Sequence, residues 1–144
     1  MNTQNAANPL DIQTTSAQFG YDSDGRRVST TFDGVTRQQV WDETSAYGDV
    51  ILELDGNGAP INGYTLAGNR IVAQTDANHT ASYFVQDALG STRGLTSGST
   101  VTQAYSYDAF GTLLGDMGSL ATNYLFAGQQ YDSATGLYSM RARY

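Results

Sequence analysis

Cysteine is absent from the 144 residues, which removes disulfide staples, thiol nucleophiles and thiolate zinc sites. Lysine is absent as well. The seven basic residues are all arginine, set against fourteen Asp and Glu, for a net charge of −7 and a pI near 4.3. Affinity for nucleic acid comes largely from Lys and Arg neutralising phosphates, so this balance argues against a nucleic-acid partner, and it equally disfavours an anionic membrane surface. Charged residues of both signs make up 15% of the chain, below the usual share of about 25%. The longest unbroken apolar stretch runs only from Tyr124 to Ala127, far short of the ~20 residues a membrane helix needs. The start of the chain is rich in Asn, Gln and Thr and shows no basic-then-apolar leader. There is one histidine, one tryptophan and two prolines.

What the chain does hold is β-forming: ten Tyr, five Phe, many Thr and Val, and sixteen scattered Gly. No window sustains a helical apolar stripe, whereas two-residue alternation recurs. Val50, Leu52 and Leu54 alternate with Ile51 and Glu53; Tyr83 and Val85 with Phe84 and Gln86; Val101, Gln103, Tyr105 and Tyr107 with Thr102, Ala104, Ser106 and Asp108. Each run stops at a turn signal: Asp55-Gly56-Asn57-Gly58, Asp87-Ala88-Leu89-Gly90, or Asp108-Ala109-Phe110-Gly111. The expected fold is all-β, an antiparallel meander of repeated hairpins forming a curved sheet strip. One domain of about this length can bury about 70% of the surface its unfolded chain exposes. The organisation expected is a polar N-terminal arm at residues 1–18 and a β-sheet domain at 19–144.

The turns repeat. Phe19-Gly20-Tyr21-Asp22-Ser23-Asp24-Gly25 aligns without gaps on Tyr105-Ser106-Tyr107-Asp108-Ala109-Phe110-Gly111. An Asp closing a strand accepts hydrogen bonds from N–H groups inside the turn, and the Gly takes the positive φ of the exit. The preceding Tyr is expected to stack on its equivalent in the next hairpin. Weaker copies are Asp87 to Gly90, and Tyr131-Asp132 to Gly136 with one extra residue. The structural residues of these turns are then Tyr21, Asp22, Gly25, Asp87, Gly90, Tyr107, Asp108, Gly111, Tyr131, Asp132 and Gly136. Repeats of this size bury their faces on stacked neighbours.

Tyr-Asp-x-x-Gly-Arg at residues 21–26 resembles the YD-repeat signature. Asp87-Ala88-Leu89-Gly90-Ser91-Thr92-Arg93, followed by Tyr105 to Gly111, resembles Rhs (rearrangement hotspot) cores, and Phe126-Ala127-Gly128-Gln129-Gln130-Tyr131-Asp132 with Arg141-Ala142-Arg143-Tyr144 resembles the closing segment of such cores. The resemblance covers roughly residues 19 to 144. It implies a β-sheet strip that spirals into a hollow shell, which in bacterial polymorphic toxins encloses a toxin, and a location outside the cell or on its surface. Two departures stand out: the chain carries fewer repeats than a full shell, and it lacks the family's Asp-Pro-x-x-Gly-Arg-Phe cleavage segment.

Few residues suggest reaction chemistry. His79, among Asp76, Asn78 and Thr80, reads as a surface-loop residue; Asn78-His79-Thr80 is also a glycosylation sequon, which again means a surface loop. Asp22-Ser23-Asp24-Gly25 and Asp55-Gly56-Asn57-Gly58 lack the ligand offsets of a calcium loop. Paired carboxylates such as Asp42-Glu43 are not singled out by any spacing, and no G-x-S-x-G elbow is present. No catalytic residue, metal site or cofactor is therefore expected, and the chain is expected not to be an enzyme. Arg26, Arg70, Arg93, Arg141 and Arg143 are candidates for cross-linking neighbouring hairpins by stacking on Tyr and pairing with carboxylates, or else ordinary surface charges.

The leading expectation is a non-enzymatic structural protein whose hairpins stack between copies into a tube, filament or shell, because an open sheet edge templates pairing with another chain. Its arm, residues 1–18, would order on a neighbouring subunit. The alternative is a segment of a toxin-encapsulating shell, with a cargo only if it belongs to a longer chain. A third reading, in which Trp41 and the other aromatics form a sugar platform, is a carbohydrate-binding module.

Overall fold

A computed structural model describes residues 16–44, 48–114, 121–133 and 135–140. Nine strands follow one another as an antiparallel meander in sequence order: β1 (Ala17–Tyr21), β2 (Arg27–Phe32), β3 (Val35–Trp41), β4 (Val50–Asp55), β5 (Pro60–Ala67), β6 (Arg70–Asp76), β7 (Ala81–Gln86), β8 (Thr92–Ser97) and β9 (Thr100–Ala104). A separate two-stranded ribbon pairs β10 (Gln130–Asp132) with β11 (Leu137–Ser139). The all-β curved sheet expected from alternation is the observed fold, with no α-helix among the described residues. The sheet does not close into a barrel. β1 and β9 remain its two edges.

Register shifts interrupt the ladder between Gly20 and Tyr21, Val40 and Trp41, Glu53 and Leu54, Thr65 and Leu66, Val85 and Gln86, and Leu95 and Thr96. Each such irregularity increases local twist and bends the strand. They also break strict alternation. Trp41 pairs with Val50 while Val40 pairs with Leu52, so Val50 and Glu53, placed on opposite faces by simple counting, both lie against the same later segment of chain.

That segment gives the sheet its core. Strand β9 ends at Ala104 instead of continuing through Tyr107; the chain then leaves the sheet, and residues 121–133 cross one face of it from β8 back to β2. Thr92 N–H and Oγ1 donate to Leu125 and Tyr124 carbonyls (3.0 and 2.8 Å), Gln74 Nε2 to the Ala121 carbonyl (2.7 Å), and Tyr124 Oη to the Val50 carbonyl (2.9 Å). Two apolar clusters lie beneath. Val50, Tyr64, Ile71 and Tyr124 form one, and Leu95, Tyr105 and Leu125 the other, with Phe84 touching both. Tyr64 and Tyr124 meet edge to face at 4.8 Å.

Candidate functional site

Five turns share one bonding pattern. In each, an Asp Oδ1 accepts the N–H groups two and four residues on: Asp22 from Asp24 and Arg26, Asp55 from Asn57 and Ala59, Asp76 from Asn78 and Thr80, Asp87 from Leu89 and Ser91, Asp108 from Phe110 and Thr112. The side chain thus mimics a backbone turn. Thr112 and Phe110 N–H groups hold the Asp108 carboxyl below its usual range. Burial pushes Asp87 upward, but Ser91, Arg93 and Leu89 outweigh it and lower its pKa. Gly25, Gly90 and Gly111 take positive φ in these turns. Gly136 does too, with its N–H on the Asp132 carbonyl at 2.8 Å.

The Tyr residues of the turns pack differently from one another. Tyr21 is an exposed edge residue. Tyr107 sits edge to face on Phe126 (5.6 Å) and donates to the Thr92 carbonyl (2.7 Å), while Tyr131 tilts against Tyr138 (5.0 Å). Among the arginines, Arg26 pairs with Asp24 and Glu43, and Arg93 pairs with Asp87 (2.9 Å) and lies over the Tyr107 ring (5.5 Å). Arg70 is exposed beside a 190 Å³ recess bordered by Asp49 and Gly128. Arg141, Arg143 and the first fifteen residues of the N-terminal arm lie outside the described residues.

The charged groups that the structure brings together are others. A 360 Å³ cavity opens where the crossing segment leaves the ends of β2–β4 uncovered. Its floor carries Thr30 and Phe32 from β2, Arg37 and Gln39 from β3, and Glu53 from β4; its wall is Asn123 and Gln130–Ser133. Glu53, 3% exposed, accepts from Tyr64 Oη (3.0 Å), Asn123 Nδ2 (2.7 Å) and Gln130 Nε2 (3.2 Å). Burial, followed by the Glu53 charge, raises the Tyr64 pKa well above its ordinary value. Beside them Arg27 and Asp132 form a buried ion pair, with the Arg27 guanidinium over the Phe19 ring at 5.5 Å.

Chemically, the two carboxylates are engaged in holding the crossing segment down. Two groups in the cavity keep capacity for a ligand. Arg37 is exposed and has no ion pair among the described residues, and Gln39 Oε1 is buried with no hydrogen-bond partner. Arg37 and Gln39 share a strand face two residues apart, but nothing in the local pattern Thr36-Arg37-Gln38-Gln39 marks them as a site. No group of three or more His, Asp or Glu side chains placed for a metal ion occurs among the described residues, and no helix there is long and apolar enough to cross a membrane.

No family model matches the chain. Similarity is found instead to the tRNA3(Ser)-specific nuclease WapA of Bacillus spizizenii, 30% identical over 132 residues, and to the tRNA(Glu)-specific nuclease WapA of Bacillus subtilis subsp. natto and the tRNA nuclease WapA of Bacillus subtilis strain 168, each 29% identical over 133 residues. These relatives are tRNA nucleases. The matches cover 89% of this chain, and the chain spans 6% of the length of each relative.

Four expectations are corrected by these findings. Membership of the Rhs or YD-repeat family does not stand, since no family model matches and the relatives carry the nuclease name. The non-enzymatic tube, filament or shell is overturned by relatives named for an enzymatic activity, and with it the expectation that the chain is not an enzyme. The open edges that motivate stacking between copies do exist at β1 and β9, but one face of the sheet is covered by residues 121–133 of the same chain, so burial of that face requires no second copy. The exclusion of nucleic acid falls for the same reason. The net charge of a chain that spans 6% of its relatives' length is no measure of the charge those relatives carry elsewhere.

Proposed function

We propose that this chain is a β-sheet component of a tRNA nuclease, with tRNA as the substrate of the protein in which it works. The observation carrying this reading is the extent of the similarity: 89% of the chain aligns with proteins each named for cleavage of tRNA. The geometry is compatible with a supporting role for most of the molecule, because nine strands pinned by a crossing segment make a rigid platform. The test is incubation of the natural gene product that contains residues 1–144 with total RNA and with DNA. Selective loss of tRNA supports the reading; tRNA that stays intact under conditions where the protein is folded overturns it.

A further inference from the structure

The cavity over β2–β4 is a site with two unmet groups, and their chemistry specifies what they accept. Arg37 presents a guanidinium, whose planar fork matches phosphate or carboxylate oxygens. Its cross-strand neighbour is Asp55, whose Oδ1 is taken up by Asn57 and Ala59 in its own turn. Gln39 lies directly across from Glu53. Its buried Oε1 lacks a donor, and a buried acceptor left without a partner is costly enough that native proteins nearly always satisfy it. A ligand with an anionic group at Arg37 and an N–H at Gln39 would satisfy both. The rings in the lining, Phe32 and Tyr131, are half-buried and offer apolar surface of the kind on which nucleic-acid bases stack.

We propose that this cavity holds a single nucleotide of an RNA strand, its phosphate on Arg37 and an exocyclic amino group of its base donating to Gln39 Oε1. The inference rests on the reading of the protein as acting on tRNA. The volume of 360 Å³ sits at the low end of the ~300–1,000 Å³ of small-ligand sites, which suits one nucleotide. The remaining charges do not compete for the phosphate from inside the cavity: Arg27 and Asp132 neutralise each other, and Glu53 is enclosed by three donors. Two carboxylates oppose an anion there, the exposed Asp33 in the lining and Asp55 across the strand from Arg37, so the phosphate contact rests on Arg37.

The experiment is titration of the full chain with 5′-CMP, 5′-AMP and 5′-UMP by calorimetry, repeated on Arg37→Ala and Gln39→Leu, with melting curves to show that each variant is folded. The wild-type protein is expected to bind CMP and AMP tighter than UMP, which has no amino group. Arg37→Ala should weaken all three at least ten-fold, and Gln39→Leu should erase the preference for CMP over UMP. The proposal is overturned if no nucleotide binds, if Arg37→Ala binds as the wild type does, or if an acidic peptide saturates the site and nucleotides do not. The two readings fail separately. Loss of tRNA that is unaffected by Arg37→Ala, with no mononucleotide binding, sinks the cavity and spares the nuclease; nucleotide binding without any tRNA loss does the reverse.

Discussion

His79 occupies the backbone position that glycine holds in four sibling turns. Gly25, Gly58, Gly90 and Gly111 have φ between 77° and 90°, and His79 has φ 62°. An L-residue there carries roughly 1–2 kcal/mol of steric cost, partly offset by the smaller entropy it loses on folding. His79→Gly should therefore stabilise the protein, by up to about 1 kcal/mol, seen as a higher urea midpoint at unchanged slope. Gly111→Ala should act in the opposite sense and more strongly than Gly25→Ala. A Cβ at Gly111 would stand 2.7 Å from Phe126 Cδ1, whereas at Gly25 nothing lies within 4 Å. The turns spelled Asp-x-x-Gly were readable from sequence because Asp and Gly each have a local reason to be there. The Asp76 turn is not, since His stands where the Gly signal should be, and its sequence marks only a surface loop. Glu53 left no signal at all. Its three donors lie 11, 70 and 77 residues away, a separation no local pattern encodes.

At the scale of elements, the strands were legible and the crossing segment was not. Alternation in β4, β7 and β9 follows from a pleat with two unlike faces. The hairpin β10–β11 also reads as a turn copy, with Asp132 as its closing acid. In the folded chain that carboxylate reaches across to Arg27 of β2, 105 residues earlier in sequence. The Arg27 and Asp132 side chains are 4% and 8% exposed, so the pair is shut away from water. Breaking such a pair by removing one partner strands a buried charge and costs about 3–5 kcal/mol, while replacing both by apolar residues is often neutral. Asp132→Ala should accordingly lower stability by that amount, and Arg27→Met combined with Asp132→Leu should recover most of it. Chemical denaturation of the two single variants and the double variant measures this directly. A double variant no better than the singles would mean that the pair supplies more than mutual neutralisation.

For the whole molecule, titration bounds the fold on both sides. On the acid side, Asp42, Asp87 and Asp108 all have pKa values below the ordinary carboxylate value. For Asp42 the Thr44 hydroxyl and N–H are responsible; for Asp87 burial is outweighed by the Ser91 N–H, the Arg93 side chain and the Leu89 N–H, and for Asp108 the Thr112 and Phe110 N–H groups act. A depressed acid contributes stability that is present above its unfolded pKa, about 3.9, and is lost as pH falls through the folded value. On the alkaline side the sign reverses. Burial raises the phenol pKa of Tyr64, Tyr105, Tyr107 and Tyr138, with Glu53 adding to Tyr64 and Tyr138 to Tyr107. A raised group contributes stability that is complete below its unfolded pKa of about 10 and is lost above it. Tyr64 alone, buried against Glu53, should remove about 1.4 kcal/mol for each pH unit above 10. Thermal melts should therefore be flat from about pH 5 to 9, decline below about pH 4, and fall steeply beyond pH 10. Phenolate absorbance followed alongside should split, with a part titrating near pH 10 while the sheet is intact and a part ionising only as the sheet unfolds. Both apolar clusters contain these tyrosines, Tyr64 in one and Tyr105 in the other, so the late phenolate signal and the loss of β-sheet ellipticity should coincide in a single transition. Full ionisation with ellipticity unchanged would show that the crossing segment lifts from the sheet without unfolding it.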